Sequence, residues 1–175
     1  MAGIDPSCVN WRCLTFAELS TAELYEMLAL RARVFVTEQR CAFTDPDGQD
    51  AQAWHVLGTA DDGQLLAYAR FFGPDSQPSQ AAAPSSARSP GMASIGRVVT
   101  APSARGRGLG RPLMHYTLQQ LYAHCGAVSV QIGAQVRLLD FYSRLGFVPT
   151  AKAFLEDGIL HQYMLLSPAT ESETR

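Results

Sequence analysis

The sequence predicts an α/β protein in which helices cover the faces of a mixed β-sheet. Two kinds of periodicity carry this prediction. Some segments alternate apolar and polar residues, as half-buried strands do, and others repeat apolar residues every three or four positions, as helices do. Together they give the order β-α-β-β-β-α-β-α-β-β. Because 175 residues suit one domain better than two, residues 1–175 are expected to form a single domain with a core from about 9 to 167.

The predicted first helix follows a short strand. Alternation over Val9–Thr15 indicates the strand. Ser20 and Glu23 then have the spacing of a capping box, in which a hydroxyl and a carboxylate bond to each other's backbone N–H groups. Apolar residues at helical spacing extend this helix to about Phe35 or beyond.

Two apolar segments on either side of a turn predict a β-hairpin. Its strands are Trp54–Thr59 and Leu65–Phe72, and Asp61-Asp62-Gly63 forms the turn. The segment Asp75–Gly91, which follows, is rich in proline, serine and alanine and has little to bury. It is expected to be a flexible surface insertion rather than a domain boundary.

The remaining elements alternate strands with helices and end in a further pair of strands. Leu113, Met114 and Leu118 give the second helix an apolar face, and Pro112 lies early enough to be tolerated in its first turn. Gly146 is a natural end for the third helix. The predicted elements are the strand Ile95–Thr100, the helix Leu109–His124, the strand Val128–Ile132, the helix Val136–Leu145, and the strands Phe147–Ala153 and Leu160–Leu166.

Composition and charge exclude several classes of function. The formal net charge is −2, so no overall field attracts nucleic acid or an acidic membrane. No stretch approaches the roughly 20 apolar residues of a membrane span, and Met1–Asn10 lacks the pattern of a signal peptide. The four cysteines show no zinc-binding spacing. A cytoplasmic protein with reduced thiols and no metal is expected.

The basic residues nevertheless cluster around one glycine-rich turn. Arg105-Gly106-Arg107-Gly108-Leu109-Gly110 lies between the fourth predicted strand and the second predicted helix. Such a turn directs several free backbone N–H groups at one point, and the helix dipole adds to them. Glycines let a phosphate reach the backbone, and nearby arginines can add charge-assisted hydrogen bonds. The turn is therefore predicted to hold an anion.

The spacing of the glycines distinguishes between phosphate-binding motifs. Neither the G-x-x-x-x-G-K-[ST] of nucleotide hydrolases nor the G-x-G-x-x-G of dinucleotide-binding proteins is present. Arg105-x-x-Gly108-x-Gly110 instead resembles the pyrophosphate-binding motif of the GNAT (GCN5-related N-acetyltransferase) superfamily, which uses acetyl-CoA. An Arg-Gly nucleic-acid-binding segment is the alternative, which the net charge and the position between a strand and a helix disfavour.

Further segments resemble the same superfamily. Ile95–Thr100 is similar to its fourth strand, and Phe141–Phe147 is similar to its F-Y-x-x-x-G-F signature. Over about residues 11–166 the chain resembles the ElaA-like branch, through Arg33–Cys41, the acids near residue 47 and Leu155–His161. The resemblance implies an acyl-CoA N-acyltransferase fold, in which a mostly antiparallel sheet of about seven strands lies between layers of helices.

The resemblance also implies where acetyl-CoA binds. The main chain of Val98, Val99 and Thr100 would pair with the pantetheine arm of the coenzyme. The pyrophosphate would lie on the glycine-rich turn, held chiefly by backbone amides from about Arg107 to Arg111. The implied cofactor-binding residues of the turn are Arg105, Gly106, Arg107, Gly108, Leu109, Gly110 and Arg111.

Acyl transfer to an amine needs a base for the amine, a donor for the carbonyl oxygen and a donor for the departing thiolate. Tyr142 is expected to serve the thiolate, because a phenol is protonated at neutral pH; the alternative is a ring that only packs. The N–H of Val98 is expected to stabilise the oxygen. Glu38 and His161 are the candidate bases, with ion pairing and a structural role as their respective alternatives. A water chain could replace either.

Cys41 and the acids that follow it allow other chemistry. A covalent acyl-enzyme on Cys41 would need a partner base, and His55 could approach only through folding, so direct transfer in a ternary complex is favoured. Asp45, Asp47 and Asp50 lack the glutamate that closes a calcium-binding loop. They are interpreted as a solvated loop, with steering of a cationic amine as the alternative.

The sequence thus predicts an acetyl-CoA-dependent N-acetyltransferase that acts on a primary amine of a small molecule or a protein. A non-catalytic acyl-CoA-binding sensor is the alternative. No nucleic-acid or membrane partner is expected, and a homodimer is compatible with the sequence.

Overall fold

The structure, a computed structural model, describes residues 9–42, 44–76 and 89–168. Its centre is a seven-stranded sheet in the order β1-β2-β3-β4-β5-β7-β6. Neighbouring strands are antiparallel except β4 and β5, which are parallel. The strands are β1 (Asn10–Thr15), β2 (Trp54–Thr59), β3 (Leu65–Phe72), β4 (Ala93–Thr100), β5 (Val130–Gln135), β6 (Val148–Glu156) and β7 (Ile159–Leu166).

The α-helices of the described residues are α1 (Thr21–Arg31), α2 (Gly110–Cys125) and α3 (Leu139–Ser143). The predicted capping box begins α1. Glu23 N–H donates to Ser20 Oγ at 3.2 Å, and Ser20 N–H donates to Glu23 Oε2 at 2.9 Å. The predicted order of strands and helices, the α/β class and the mostly antiparallel mixed sheet are confirmed.

The helices lie on opposite faces of the sheet, and each face has its own apolar core. The core beneath α2 and α3 includes Ile95, Leu113, Met114, Leu121 and Phe147. The core beneath α1 includes Met27, Leu30, Leu66, Tyr68 and Val99. The molecule therefore has three layers, with the sheet in the middle.

β4 and β5 separate soon after they meet. Within the described residues they pair at Ala93 with Val130 and at Ser94 with Gln131, although the strands continue to Thr100 and Gln135. Beyond these pairs the edge of β4 that faces β5 has no strand partner in the described structure. The sheet opens there into a cleft.

A β-bulge in β4 lies beside this cleft. Between the pairs Tyr68–Val99 and Arg70–Gly96, β4 has one residue more than β3, and Arg97 in the bulge has a φ of +53°. An extra residue reverses the alternation of side chains. Ile95 consequently points into the core beneath α2, whereas Val99 points into the core beneath α1.

The structure differs from the sequence prediction mainly at helix ends. α1 ends before the predicted limit, and a π-helical segment, Ala32–Glu38, follows it, where Gln39 N–H donates to Val34 O at 3.0 Å. The predicted third helix is a 3₁₀ turn over Val136–Leu138 followed by the short α3. Of the predicted surface insertion, residues 77–88 lie outside the described residues, so its flexibility stays a prediction.

Within the described ranges, no helix has both the length and the apolar character needed to cross a bilayer. The same residues contain no group of three or more side chains arranged to ligate a metal ion. Cys13, Cys41 and Cys125 are free thiols.

Candidate active site

The cleft between β4 and β5 contains a cavity of about 220 Å³. Its walls come from β3 to β7, from the segment after α1 and from α3. Four of the residues discussed as candidates from the sequence line it: Cys41, Val98, Tyr142 and His161. Val99 instead lies in the core beneath α1, and Thr100 pairs with Ala67 of β3.

The glycine-rich turn leads from β4 into α2. Gly106 and Gly108 have φ values of +74° and +76°, a region that residues with a Cβ rarely adopt. α2 has no side-chain cap and no acid in its first turn. In the described structure, the first N–H of this helix with a backbone partner is that of Leu113, which donates to Leu109 O at 3.0 Å. The preceding amides are therefore available to an anion.

The surroundings of the turn leave room for an anion. A Cβ added at Gly106 or Gly108 would meet no atom within 4 Å, so these positions border open space. Arg107 Nη1 is buried and has no hydrogen-bond partner, and a buried unpaired donor costs free energy until it meets an acceptor. Gly110 has a different role, because a Cβ there would lie 3.3 Å from Phe141 Cζ.

Tyr142 lines the cavity and is 7% exposed. The rings of Phe141 and Phe147 contact it edge-on, with centroid separations of 5.0 and 6.0 Å. Burial raises the pKa of the Tyr142 hydroxyl to about 12, because the charged phenolate loses its hydration. The hydroxyl is therefore protonated at neutral pH and can donate a proton.

His161 lines the cavity from β7 and is held in one orientation. Its ring stacks on Phe154, with centroids 5.2 Å apart, and its Nδ1 lies 2.9 Å from Ile159 O. A carbonyl oxygen only accepts hydrogen bonds, so the neutral ring carries its proton on Nδ1. This tautomer leaves the lone pair on Nε2, which suits a base.

Glu38 lies outside the cavity, at the end of the π-helical segment. Its carboxylate forms an exposed ion pair with Arg105 of the glycine-rich turn, at 2.6 Å. The hydrogen bond from Arg105 lowers the pKa of Glu38. The structure thus gives Glu38 the ion-pairing position that the sequence left as its alternative.

The interpretation of Asp45, Asp47 and Asp50 as a solvated loop is wrong. Asp45 is 2% exposed and Asp50 is 8% exposed. Asp45 and Asp50 bind the fully buried Arg31. Asp47 and Asp50 bind Arg70, and Asp45 and Asp47 also bind Arg97. We refer to these three arginines and three aspartates as the Arg–Asp network.

Burial disfavours the charged forms of these side chains, and the ion pairs within the network offset that cost. Burial would raise the pKa of Asp47, but the hydrogen bonds and charge of Arg70, together with the charge of Arg97, lower it to about 2. Arg70 retains one unmet donor, since its buried Nε has no hydrogen-bond partner. Two members of the network, Arg70 and Arg97, also line the cavity.

Four charged residues that line the cavity were given no site role from the sequence: Arg70, Arg97, Arg137 and Glu156. Arg70 and Arg97 had a signal, since each is the only charged residue in an otherwise apolar or small-residue strand. Glu156 lies in the segment Leu155–His161 that carries the family resemblance, but an acid beside Asp157-Gly158 is also typical of a turn.

Cys41 is buried and lines the cavity. Burial raises the pKa of its thiol, and the charges of Asp157 and Glu156 raise it further. His55 is not its partner, because Nδ1 of His55 lies 2.8 Å from the Tyr68 hydroxyl and Nε2 lies 3.0 Å from Asp50 O. His55, the base that the sequence left open for Cys41, is therefore engaged elsewhere.

Comparisons with known proteins agree with this geometry. Residues 50–168 match the family model described as an acetyltransferase (GNAT) domain. ElaA of Escherichia coli is 37% identical over 155 residues, which cover 87% of this chain and 93% of ElaA. A UPF0039 protein of Synechocystis is 36% identical over 157 residues, which cover 90% and 94% of the two chains.

Two solved structures are similar to this chain in both fold and sequence. An acyl-CoA N-acyltransferase from Pseudomonas aeruginosa superposes with a TM-score of 0.79 at 37% identity, over 91% of this chain and 99% of that one. The crystal structure of Escherichia coli ElaA has a TM-score of 0.78 at 35% identity and the same coverage.

Proposed function

The chain belongs to the GNAT acetyltransferase family, in the group that includes ElaA and the UPF0039 proteins, and we propose that it transfers the acetyl group of acetyl-CoA to a primary amine. One observation carries the proposal: a buried, protonated Tyr142 faces the cavity in the split between β4 and β5. The acyl thioester can meet a proton donor there.

The donor would lie along β4 and end on the glycine-rich turn. The open edge of β4 beyond Ser94 offers backbone groups to the amides of the pantetheine arm, as an added strand would. The free amides at the start of α2 and the unpaired Arg107 Nη1 suit the pyrophosphate. Arg105 contributes less, because Glu38 already occupies its guanidinium.

The chemistry would be direct transfer in a ternary complex. His161 Nε2 takes a proton from the amine, which attacks the thioester carbonyl. The N–H of Val98 stabilises the developing oxyanion. When the tetrahedral intermediate collapses, the C–S bond breaks and Tyr142 protonates the leaving thiolate. Cys41 takes no part, since its thiol has a raised pKa and His55 binds Tyr68 and Asp50 instead.

His161 is preferred to Glu38 as the base because it lines the cavity and Glu38 does not. Its tautomer also places the lone pair on the nitrogen that Ile159 does not bind. Removing a positioned acid or base typically costs 10²–10⁴ in rate.

The cytoplasm, where acetyl-CoA and small amines are available, is the proposed location.

The replacement Tyr142→Phe tests the function. We expect kcat for thiol release from acetyl-CoA, measured with a broad amine panel, to fall about a hundredfold with little change in the KM for acetyl-CoA. Tyr25→Phe is the matched control, because Tyr25 is 73% exposed on α1 and should leave both constants unchanged. Equal kcat values for Tyr142→Phe and the wild type would remove Tyr142 from the mechanism.

The sensor alternative has its own outcome in the same assay. If acetyl-CoA binds tightly but no amine in the panel releases thiol, the protein is a binder of acyl-CoA and not a transferase. Enzyme-dependent thiol release with any amine excludes that alternative.

A further inference from the structure

The residues that line the cavity carry charges of both signs. Arg97 and Arg70 line it from β4 and β3, Arg137 lines it from the turn before α3, and Glu156 lines it from β6. We propose that the acceptor is a small amino carboxylate, such as an α-amino acid, whose carboxylate binds Arg97 and whose amine lies beside Glu156. This inference rests on the proposed N-acetyltransferase function and names the substrate class of the same site.

The Arg–Asp network holds the Arg97 guanidinium in place from behind. Arg97 Nε donates to Asp45 Oδ1 at 2.8 Å, and one Nη donates to Asp45 O and Asp47 Oδ2 at 3.4 Å. The aspartates do not themselves line the cavity, whereas the Arg97 side chain does and is 18% exposed. A guanidinium held in this way is prearranged to bind a planar carboxylate.

The backbone indicates that the side chain of Arg97 is needed. Its φ of +53° lies in the left-handed region, where glycine is the favoured residue and other residues are strained. The chain nevertheless has an arginine there, in the bulge where β4 leaves β5. Backbone strain of this kind is found where a side chain serves a site.

Glu156 is the matching group for the amine. Among the cavity residues in the described part of the chain it is the only acid. It stands two residues from Phe154, whose ring stacks on His161. A carboxylate there attracts an ammonium group, and His161 Nε2 can then take the proton that the amine must lose.

The position of Arg97 also limits the length of the acceptor. Arg97 directly precedes Val98, whose N–H we assign to the oxyanion. A carboxylate on Arg97 therefore lies close to the carbon that the amine attacks. This favours an amine and a carboxylate separated by one or two carbons over a long polyamine or an amino sugar.

Matched substrates test the proposal on the unmodified protein. For several side chains, thiol release is compared between the amino acid, its carboxamide and the corresponding decarboxylated amine. We expect kcat/KM to be about tenfold to a hundredfold higher for the amino acids, the size of one charge-assisted bond. Equal or higher kcat/KM for the carboxamides and amines would overturn the proposal and leave the acetyltransferase function intact. No thiol release with any amine would instead overturn the function.

Two variants connect the preference to Arg97. Arg97→Gly suits the left-handed backbone, and Arg97→Lys keeps a charge should the first variant fold poorly. In either, we expect the ratio of kcat/KM between amino acid and carboxamide to fall toward one, mainly through a higher KM for the amino acid. A purely structural role would lower kcat/KM for all three substrates alike. Arg33→Gln, at an exposed arginine outside the cavity, is the control and should keep the ratio.

Discussion

At the scale of single residues, the activity at high pH tests whether Tyr142 keeps the proton that it is proposed to donate. Burial raises its pKa to about 12, so the proton is retained at pH values where an ordinary tyrosine, with a pKa near 10, has lost it. We expect no loss of kcat from ionisation of Tyr142 up to about pH 10.5. A basic limb of the kcat profile centred near pH 10, present in the wild type and absent in Tyr142→Phe, would contradict this.

Valine substitutions at Gly108 and Gly63 distinguish the effect of backbone strain from the loss of ligand binding. With a φ of +76°, Gly108→Val would strain the backbone and place methyl groups where the pyrophosphate is proposed to lie. We expect the affinity for acetyl-CoA, measured by calorimetry, to fall at least a hundredfold. Gly63→Val is the matched control, because Gly63 has a φ of +87° and equally open surroundings in the β2–β3 turn. It should lower stability but preserve affinity.

Glu38 and Arg97 show what sequence can and cannot assign among residues. Tyr142 was predicted as a candidate from its motif and residue type, and His161 from its residue type and position, and both line the cavity. Glu38 was a candidate base like His161, yet its side chain binds Arg105 outside the cavity. Arg97 and Glu156 were missed because the cavity is assembled from strands distant in sequence. Residue type shows what chemistry is available, and only the fold shows which groups meet.

At the scale of elements, the Arg–Asp network predicts a sharp stability effect. Asp45→Asn removes the carboxylate that binds both Arg31 and Arg97. Because Arg31 is fully buried, we expect a loss of about 3–5 kcal/mol in the free energy of unfolding, measured by urea titration. Asp61→Asn, in an exposed turn, should change it by less than about 0.5 kcal/mol. A similar small change for Asp45→Asn would show that the network contributes little to stability.

Elements whose defining interactions join residues close in sequence were predicted more accurately than elements that depend on residues far apart in sequence. The capping box of α1 and the β2–β3 hairpin were predicted because their interactions join residues close in sequence. The π-helical segment and the bulge at Arg97 were not predicted. Each adjoins an arginine that binds the distant Asp45, which lies 14 residues from Arg31 and 52 residues from Arg97. The mostly antiparallel sheet of about seven strands came from the family resemblance and not from periodicity, and the order of its strands was not predicted.

At the scale of the whole molecule, acetyl-CoA should stabilise the fold. A ligand that binds only the folded state adds about 2.7 kcal/mol at 100 times its dissociation constant. For a chain of this size that corresponds to a rise in melting temperature of about 5–10 °C. Differential scanning fluorimetry with and without acetyl-CoA measures it, with free acetate as the control ligand. No rise at saturating acetyl-CoA would contradict both the transferase and the sensor.

The bulge in β4 also limits which changes of chain length this protein can accept. The extra residue lets Ile95 and Val99 face opposite cores although they are four positions apart. Deleting one residue at the bulge would turn every later side chain of β4 to the wrong face and shift the start of the glycine-rich turn by one strand position. Insertions and deletions within 95–100 should therefore be far more damaging than substitutions. In an insertion and deletion scan this strand should behave as a segment of fixed length, whatever residues occupy it.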